Sequence, residues 1–237
     1  MDPEAGLLVV ADGMGGYNAG HQASRLAVDT VSRVVRTASA MEHPGRLLRD
    51  AVERANTVIH ESAQDNPAQE GMGTTIVTSL IRGGRITVAH VGDSRLYRLR
   101  RNQLELLTRD HSLNQELLEQ GYYTETEARR ADNQHVVTRA LGVREAVEVS
   151  LREETVAEGD LFLLCSDGLT DMVDEHSIRY TLELHRDNPE ASVDQLIKRA
   201  NQLGGRDNVA VIVARSENSQ SPRLGLGGRL RRWLGRG

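Results

Sequence analysis

The sequence predicts an α+β protein, and three observations carry that prediction. Apolar residues recur at three- and four-residue steps over two early stretches, the period then shortens to two through the middle of the chain, and helical spacing returns before one last apolar run. Helices, then strands, then helices, then a strand describe segregated layers rather than alternating βαβ units. A length of 237 residues suits one large domain with a substantial core; hydrophobic residues are 38% and aromatics 3%, so that core is aliphatic.

The first apolar run, Leu7 to Val10, leads through Ala11 to Asp12-Gly13-Met14-Gly15-Gly16, where side-chain bulk is abandoned. Ala23, Leu26, Ala27, Val31, Val34, Val35 and Ala38 then mark an amphipathic helix. Leu47, Leu48, Ala51, Val52, Ala55 and Ile59 mark a second, with Pro44 near its start. GTTIVTSLI and RITVAHVG read as strands joined at Arg82-Gly83-Gly84, and RLYRLR and QLELLT continue what the pattern predicts to be an antiparallel meander. Residues 112 to 142 are more polar and read as a surface flap: Ser112 caps a short helix ending at Gly121, and Thr124 with Glu127 forms a capping box. Strands return at VEVSLREETV and LFLLCS, helices at about 174 to 185 and 191 to 203, and a last strand at NVAVIVA.

An Asp-Gly pair after a strand is by itself a turn signal. Here the pattern repeats: Asp93 ends ITVAHVGD, Asp167 ends LFLLCSD, and Asp207 precedes the last strand. In antiparallel pairs the exit of one strand lies beside the entrance of its neighbour, so the four aspartates are expected on one rim of a sheet. Carboxylates so crowded raise one another's pKa unless protons or cations intervene, and an all-oxygen donor set points to Mg²⁺ or Mn²⁺ rather than structural zinc. The turn alternatives pair Asp93 with Arg95 and place Asp207 as a cap beside Arg206. Other chemistries fail on spacing. Asn18 stands where a dinucleotide fingerprint needs its third glycine, no Lys-Ser/Thr follows as in a phosphate loop, Asp171 replaces the arginine of a Cys-x5-Arg phosphatase, and no Gly-x-Ser-x-Gly elbow occurs. Cys165 reads as a buried structural thiol.

The ordered motifs VVADGMGG, GMGTT, VAHVGDSRLYRL, LTRDHSL, VTRALG, LLCSDGLTDMV and GGRDNVAVIVA resemble the metal-dependent protein phosphatase (PPM, type 2C) family in its bacterial form, over about residues 6 to 215. The resemblance implies a four-layer α-β-β-α sandwich, with two antiparallel sheets between helix pairs. It implies hydrolysis of phosphoserine and phosphothreonine in proteins by a metal-activated water, opposing a bacterial Ser/Thr kinase. Two Mn²⁺ or Mg²⁺ ions are implied: Asp12 bridges them, Gly13 lends its carbonyl to the second, and Asp167 and Asp207 complete the first. Asp93 with Asp167 matches a third, looser metal site, which Asp171 reaches through water. Asp12, Asp167 and Asp207 are thus the catalytic set, Thr75 and Asn208 match positions lining the site, and Met14 stands where some relatives have histidine. His90 and His111 read as structural. No residue is assigned to substrate binding, and Arg139 is not placed.

The family pattern begins further upstream, with a strand bearing a phosphate-binding arginine and a motif supplying another carboxylate. The sequence shows neither; Met1 to Gly6 resembles the hairpin turn before the Asp12 strand. Two readings stay open: a clipped sequence lacking its first N-terminal strands, or a catalytically impaired phosphatase-like binding module. Retention of all four aspartates favours the first.

Composition bounds the partners. The net charge is −5, and because the last 22 residues hold five arginines against one glutamate, the rest is more acidic still, which excludes wholesale nucleic-acid binding. One cysteine, no signal peptide and no span-length apolar run read as cytoplasmic, and a monomer is expected. Residues 1 to 215 are read as the phosphatase domain and 216 to 237 as a basic, flexible tail. Its Leu226, Leu230, Trp233 and Leu234 lie at helical spacing suited to a membrane surface or an acidic partner.

Overall fold

The computed structural model describes residues 1–39, 41–66, 69, 71–124, 127 and 136–217, Tyr17 by its main chain alone. The predicted tail helix and part of the polar flap lie outside the described residues. Among these residues no helix is long and apolar enough to cross a membrane.

The chain enters through the expected hairpin turn, in which the Asp2 N–H donates to the Leu7 carbonyl at 2.8 Å and the Leu7 N–H to the Asp2 carbonyl at 2.9 Å. Strand β1 (Leu7–Val10) then runs to the Asp12 turn, β2 (Gly13–Met14) and helix α1 (Tyr17–Thr37). Helix α2 (Pro44–Asp65) opens with proline at its first position, and the His43 ring accepts from the Gly45 N–H at 3.2 Å. Strand β3 (Gly73–Thr74) pairs with β2, and the hairpins β4 (Ile76–Arg82) with β5 (Arg85–Val91) and β6 (Arg95–Arg100) with β7 (Gln103–Leu106) follow. Ser112 caps α3 (Leu113–Glu119), its hydroxyl accepting from the Gln115 N–H, and the capping box is formed: the Thr124 N–H donates to Glu127 at 2.8 Å and the Glu127 N–H to the Thr124 hydroxyl at 3.3 Å. Then come β8 (Ser150–Thr155), β9 (Leu161–Cys165), a single helical turn α4 (Asp167–Thr170), α5 (Glu175–Leu184), α6 (Pro189–Gln202) and β10 (Val211–Arg215).

The predicted meander is corrected here. Strands β4 and β5 belong to one sheet, ordered β1-β4-β5-β8, whereas β6 and β7 belong to a second, ordered β10-β9-β6-β7. The link Gly92-Asp93-Ser94 carries the chain from one sheet to the other, and Gly92, at φ +104°, supplies the backbone conformation that an L side chain resists.

Period-two alternation sorts each strand between layers. Leu7 and Val9 face α1 and α2 in one apolar cluster, while Leu8 and Val10 meet Phe162, Leu164 and Ile212 between the sheets. The far face of the second sheet, with Tyr97, Leu163 and Val213, packs under α5 and α6 through Ile178, Leu182, Val193 and Leu196. The result is the expected α-β-β-α sandwich.

Candidate active site

All four aspartates stand at strand ends, but the rim they share is not that of one sheet. Asp12 and Asp93 leave β1 and β5 of the first sheet; Asp167 follows β9 and Asp207 precedes β10 in the second. The site therefore spans the mouth of the gap between the sheets, and Asp167 opens a helical turn rather than a simple Asp-Gly turn.

The backbone at Asp12 is held from two sides. Its carbonyl accepts from the Thr75 N–H and the Thr74 hydroxyl, each at 2.8 Å, and its N–H donates to the Thr75 hydroxyl at 3.2 Å. Thr75 in turn shares a 2.7 Å hydrogen bond with Ser94, tying the Asp12 turn to the loop carrying Asp93. Gly13 is required by close approach: a Cβ there would overlap the Gly20 carbonyl of α1. Behind Asp167, a Cβ on Gly168 would overlap the Asn208 carbonyl, which also accepts from the Ser166 hydroxyl at 3.1 Å, so the Asp167 and Asp207 segments are in contact.

Electrostatics show that the carboxylates are close. Burial, then the charge of Asp167, a side-chain hydrogen bond to Asp167 and the charges of Asp207 and Asp93 push the Asp12 carboxyl up to about 8. Burial and Asp167, with Asp110 behind, push Asp93 up to about 7. The Oδ1 atom of Asp167 is buried with no hydrogen-bond partner. Among the described residues no three acidic, histidine or cysteine side chains form a closed ligand group as they stand. Burial and the neighbouring carboxylates hold the Asp12 carboxyl well above the usual carboxylate range. An oxygen-only donor set, mutual repulsion and an orphaned carboxylate oxygen together fit a hard divalent cation.

The turn alternatives divide. Asp93 does not pair with Arg95, whose guanidinium grips Asp110 at 2.6 to 3.1 Å. Asp207 does accept locally, from the Asn208 N–H at 2.7 Å, while remaining exposed. His90 and His111 stack with ring centroids 4.7 Å apart. His111 Nδ1 accepts from the Gly92 N–H at 3.1 Å, and burial with the neighbouring His90 pushes the ring down to about 3. His90 Nε2 lies 2.7 Å from the Arg109 carbonyl, and burial lowers its pKa too. Both rings are structural, as expected. Cys165 is buried, and desolvation pushes its thiol up to about 12. Arg139 pairs with Glu148 at 3.0 Å. Sequence reasoning missed Ser94 and the role of His111 in holding the Gly92 turn; neither stands in a spacing that separates it from any polar loop residue.

Comparison with known proteins shows the family and the fold. The family model "Protein phosphatase 2C" matches residues 2–205. The serine/threonine phosphatase stp of Listeria monocytogenes is 37% identical over 220 residues, covering 92% of this chain and 87% of its own length. The crystal structure of the serine/threonine phosphatase PstP/Ppp of Mycobacterium tuberculosis superposes with a TM-score of 0.84 at 37% identity, over 90% of this chain and 88% of that one. The catalytic domain of PstP in complex with two manganese ions gives 0.80 at 36% identity, with the same coverage.

Proposed function

The chain belongs to the protein phosphatase 2C family of metal-dependent serine/threonine phosphatases, and from that premise we propose how its own residues carry out the hydrolysis of phosphoserine and phosphothreonine in proteins. The carrying observation is the meeting of the Asp12 turn, locked by Thr74 and Thr75, with the Asp167 and Asp207 segments at the mouth between the sheets, where Asp167 Oδ1 is buried with no hydrogen-bond partner. Asp12, Asp167 and Asp207, with the Gly13 carbonyl, would hold two divalent ions, for which Mn²⁺ or Mg²⁺ is the chemical match, and Asp93 with Asp167 a third. When bound, such a pair supplies Lewis acidity that makes water a nucleophile at neutral pH and offsets charge on the phosphoryl oxygens.

The remaining work falls to the fold. Thr74 and Thr75 lock the Asp12 backbone, the Gly13–Gly20 approach fixes where its carboxyl projects, and the Ser94 bond keeps Asp93 in register with it. The departing serine or threonine oxygen needs a proton. Neither histidine supplies it, since His90 spends Nε2 on the Arg109 carbonyl and His111 spends Nδ1 on Gly92 and Nε2 on Ser150, and Met14 has no proton to give. Solvent reaching the exposed Gly13–Gly16 turn is the donor. We take residues 1–215 as the catalytic unit, with a cytoplasmic Ser/Thr kinase opposing it.

The test is phosphate release from a phosphothreonine peptide in MnCl₂ and in EDTA. Turnover with Mn²⁺, lost in EDTA and reduced at least about 100-fold in Asp12→Ala and Asp167→Asn, is the expected result. Turnover unaffected by EDTA removes the reading.

A further inference from the structure

Beside the aspartates, the segment from Leu141 to Glu145 is pinned more firmly than its exposure warrants. Leu141 exchanges two backbone hydrogen bonds with Thr74, at 3.1 and 2.9 Å. Asn56 of α2, 1% exposed, accepts from the Gly142 N–H at 2.8 Å and donates to the Arg144 and Glu145 carbonyls, each at 3.0 Å. These bonds bracket Val143, which stays 55% exposed. They hold its backbone in place while about half of its side chain stays open to solvent.

What Val143 covers is Gly73. A Cβ at Gly73 would stand 3.0 Å from Val143 Cγ2 and 3.4 Å from Met14 Cγ, and Gly73 is the register partner of Met14 across β2 and β3. The missing side chain lets Met14 and Val143 share an apolar floor one residue beyond Gly13 and two beyond Asp12. Such a floor favours apolar surface over a charged side chain, which would give up hydration there for no partner.

We infer that Met14 and Val143 form a shelf receiving an apolar side chain next to the phosphorylated residue of a substrate peptide, so that peptides with apolar flanks are preferred to those with acidic flanks. This rests on the phosphatase reading above. The occupant follows from continuity: an extended peptide whose phosphate reaches Asp12 carries its neighbouring side chain only a few ångströms away, about the spacing of successive residues, onto this floor.

The experiment compares two phosphothreonine peptides identical except for leucine or aspartate on both sides of the phosphothreonine. The wild-type ratio of kcat/KM in MnCl₂, leucine over aspartate, is expected at about tenfold, the effect of partly shielding one leucine. In Val143→Asn, which removes the apolar surface without adding charge, that ratio falls to within about twofold of unity. A wild-type ratio near unity, or one that survives in Val143→Asn, overturns the inference. If the wild-type protein turns over neither peptide nor p-nitrophenyl phosphate, the phosphatase reading has failed by itself. The same ratio, read as Kd by anisotropy of the fluorescein-labelled peptides, then decides the shelf with the same thresholds.

Discussion

Asparagine at position 12 is expected to stabilise the metal-free protein while abolishing its turnover, and the size of that stabilisation depends on pH in a defined sense. In the folded chain the Asp12 carboxyl is raised from 3.8 to about 8, by burial first and then by Asp167, Asp207 and Asp93. A carboxyl raised in this way supports the fold fully below pH 4, where both states are protonated. It costs stability progressively as pH rises toward 8, because the unfolded chain ionises first. At about 1.4 kcal/mol per pH unit, the window sets a ceiling on the order of 5 kcal/mol at pH 8. The adjoining Gly13 to Gly16 turn is open to water and the neighbouring carboxylates share the repulsion, so about 2 kcal/mol is the working value. Asparagine keeps the volume and offers an N–H to Asp167. Thermal unfolding in EDTA from pH 4 to 8.5 is therefore expected to show Asp12→Asn level with wild type at pH 4 and about 4 to 8 °C higher at pH 8. Excess MnCl₂ reverses the order, since the wild type, which keeps the Asp12 carboxylate, gains more from binding than the variant. A mutant-minus-wild-type difference that is flat with pH, or negative at pH 8 in EDTA, refutes the crowded-carboxylate argument.

Three other outcomes follow from packing. Gly13→Ala places a methyl on the Gly20 carbonyl, so urea unfolding should show a loss of at least about 2 kcal/mol, with phosphatase activity falling alongside it. Asn56→Ala strands the Gly142 N–H and two carbonyls, and a loss of about 2 to 4 kcal/mol is expected by the same measurement. Cys165, buried with its thiol pushed up to about 12, should resist iodoacetamide at pH 8 in the native protein and react within minutes in 6 M guanidinium; alkylation at equal rates in both would contradict its burial.

Local rules were enough for much of the molecule. The α1 and α2 periods, Pro44, the Ser112 cap, the Thr124–Glu127 box and the turn at Gly83-Gly84 are near-neighbour chemistry, and the structure contains each of them. The four aspartates were legible for a related reason: each closes or opens an apolar run, and the sheet arrangement brings such ends together.

What the sequence determined by itself was therefore which segments are helix or strand, where they stop, and which acidic side chains stand at the stops. Only the tertiary structure decided that β5 and β6 part into different sheets at Gly92, that the acidic site bridges the two, and that Asn56 reaches across to Gly142 to hold Val143 over Gly73. Period and turn chemistry act within a few residues, whereas these choices depend on which apolar faces find each other across the whole chain, a free energy that no local window contains.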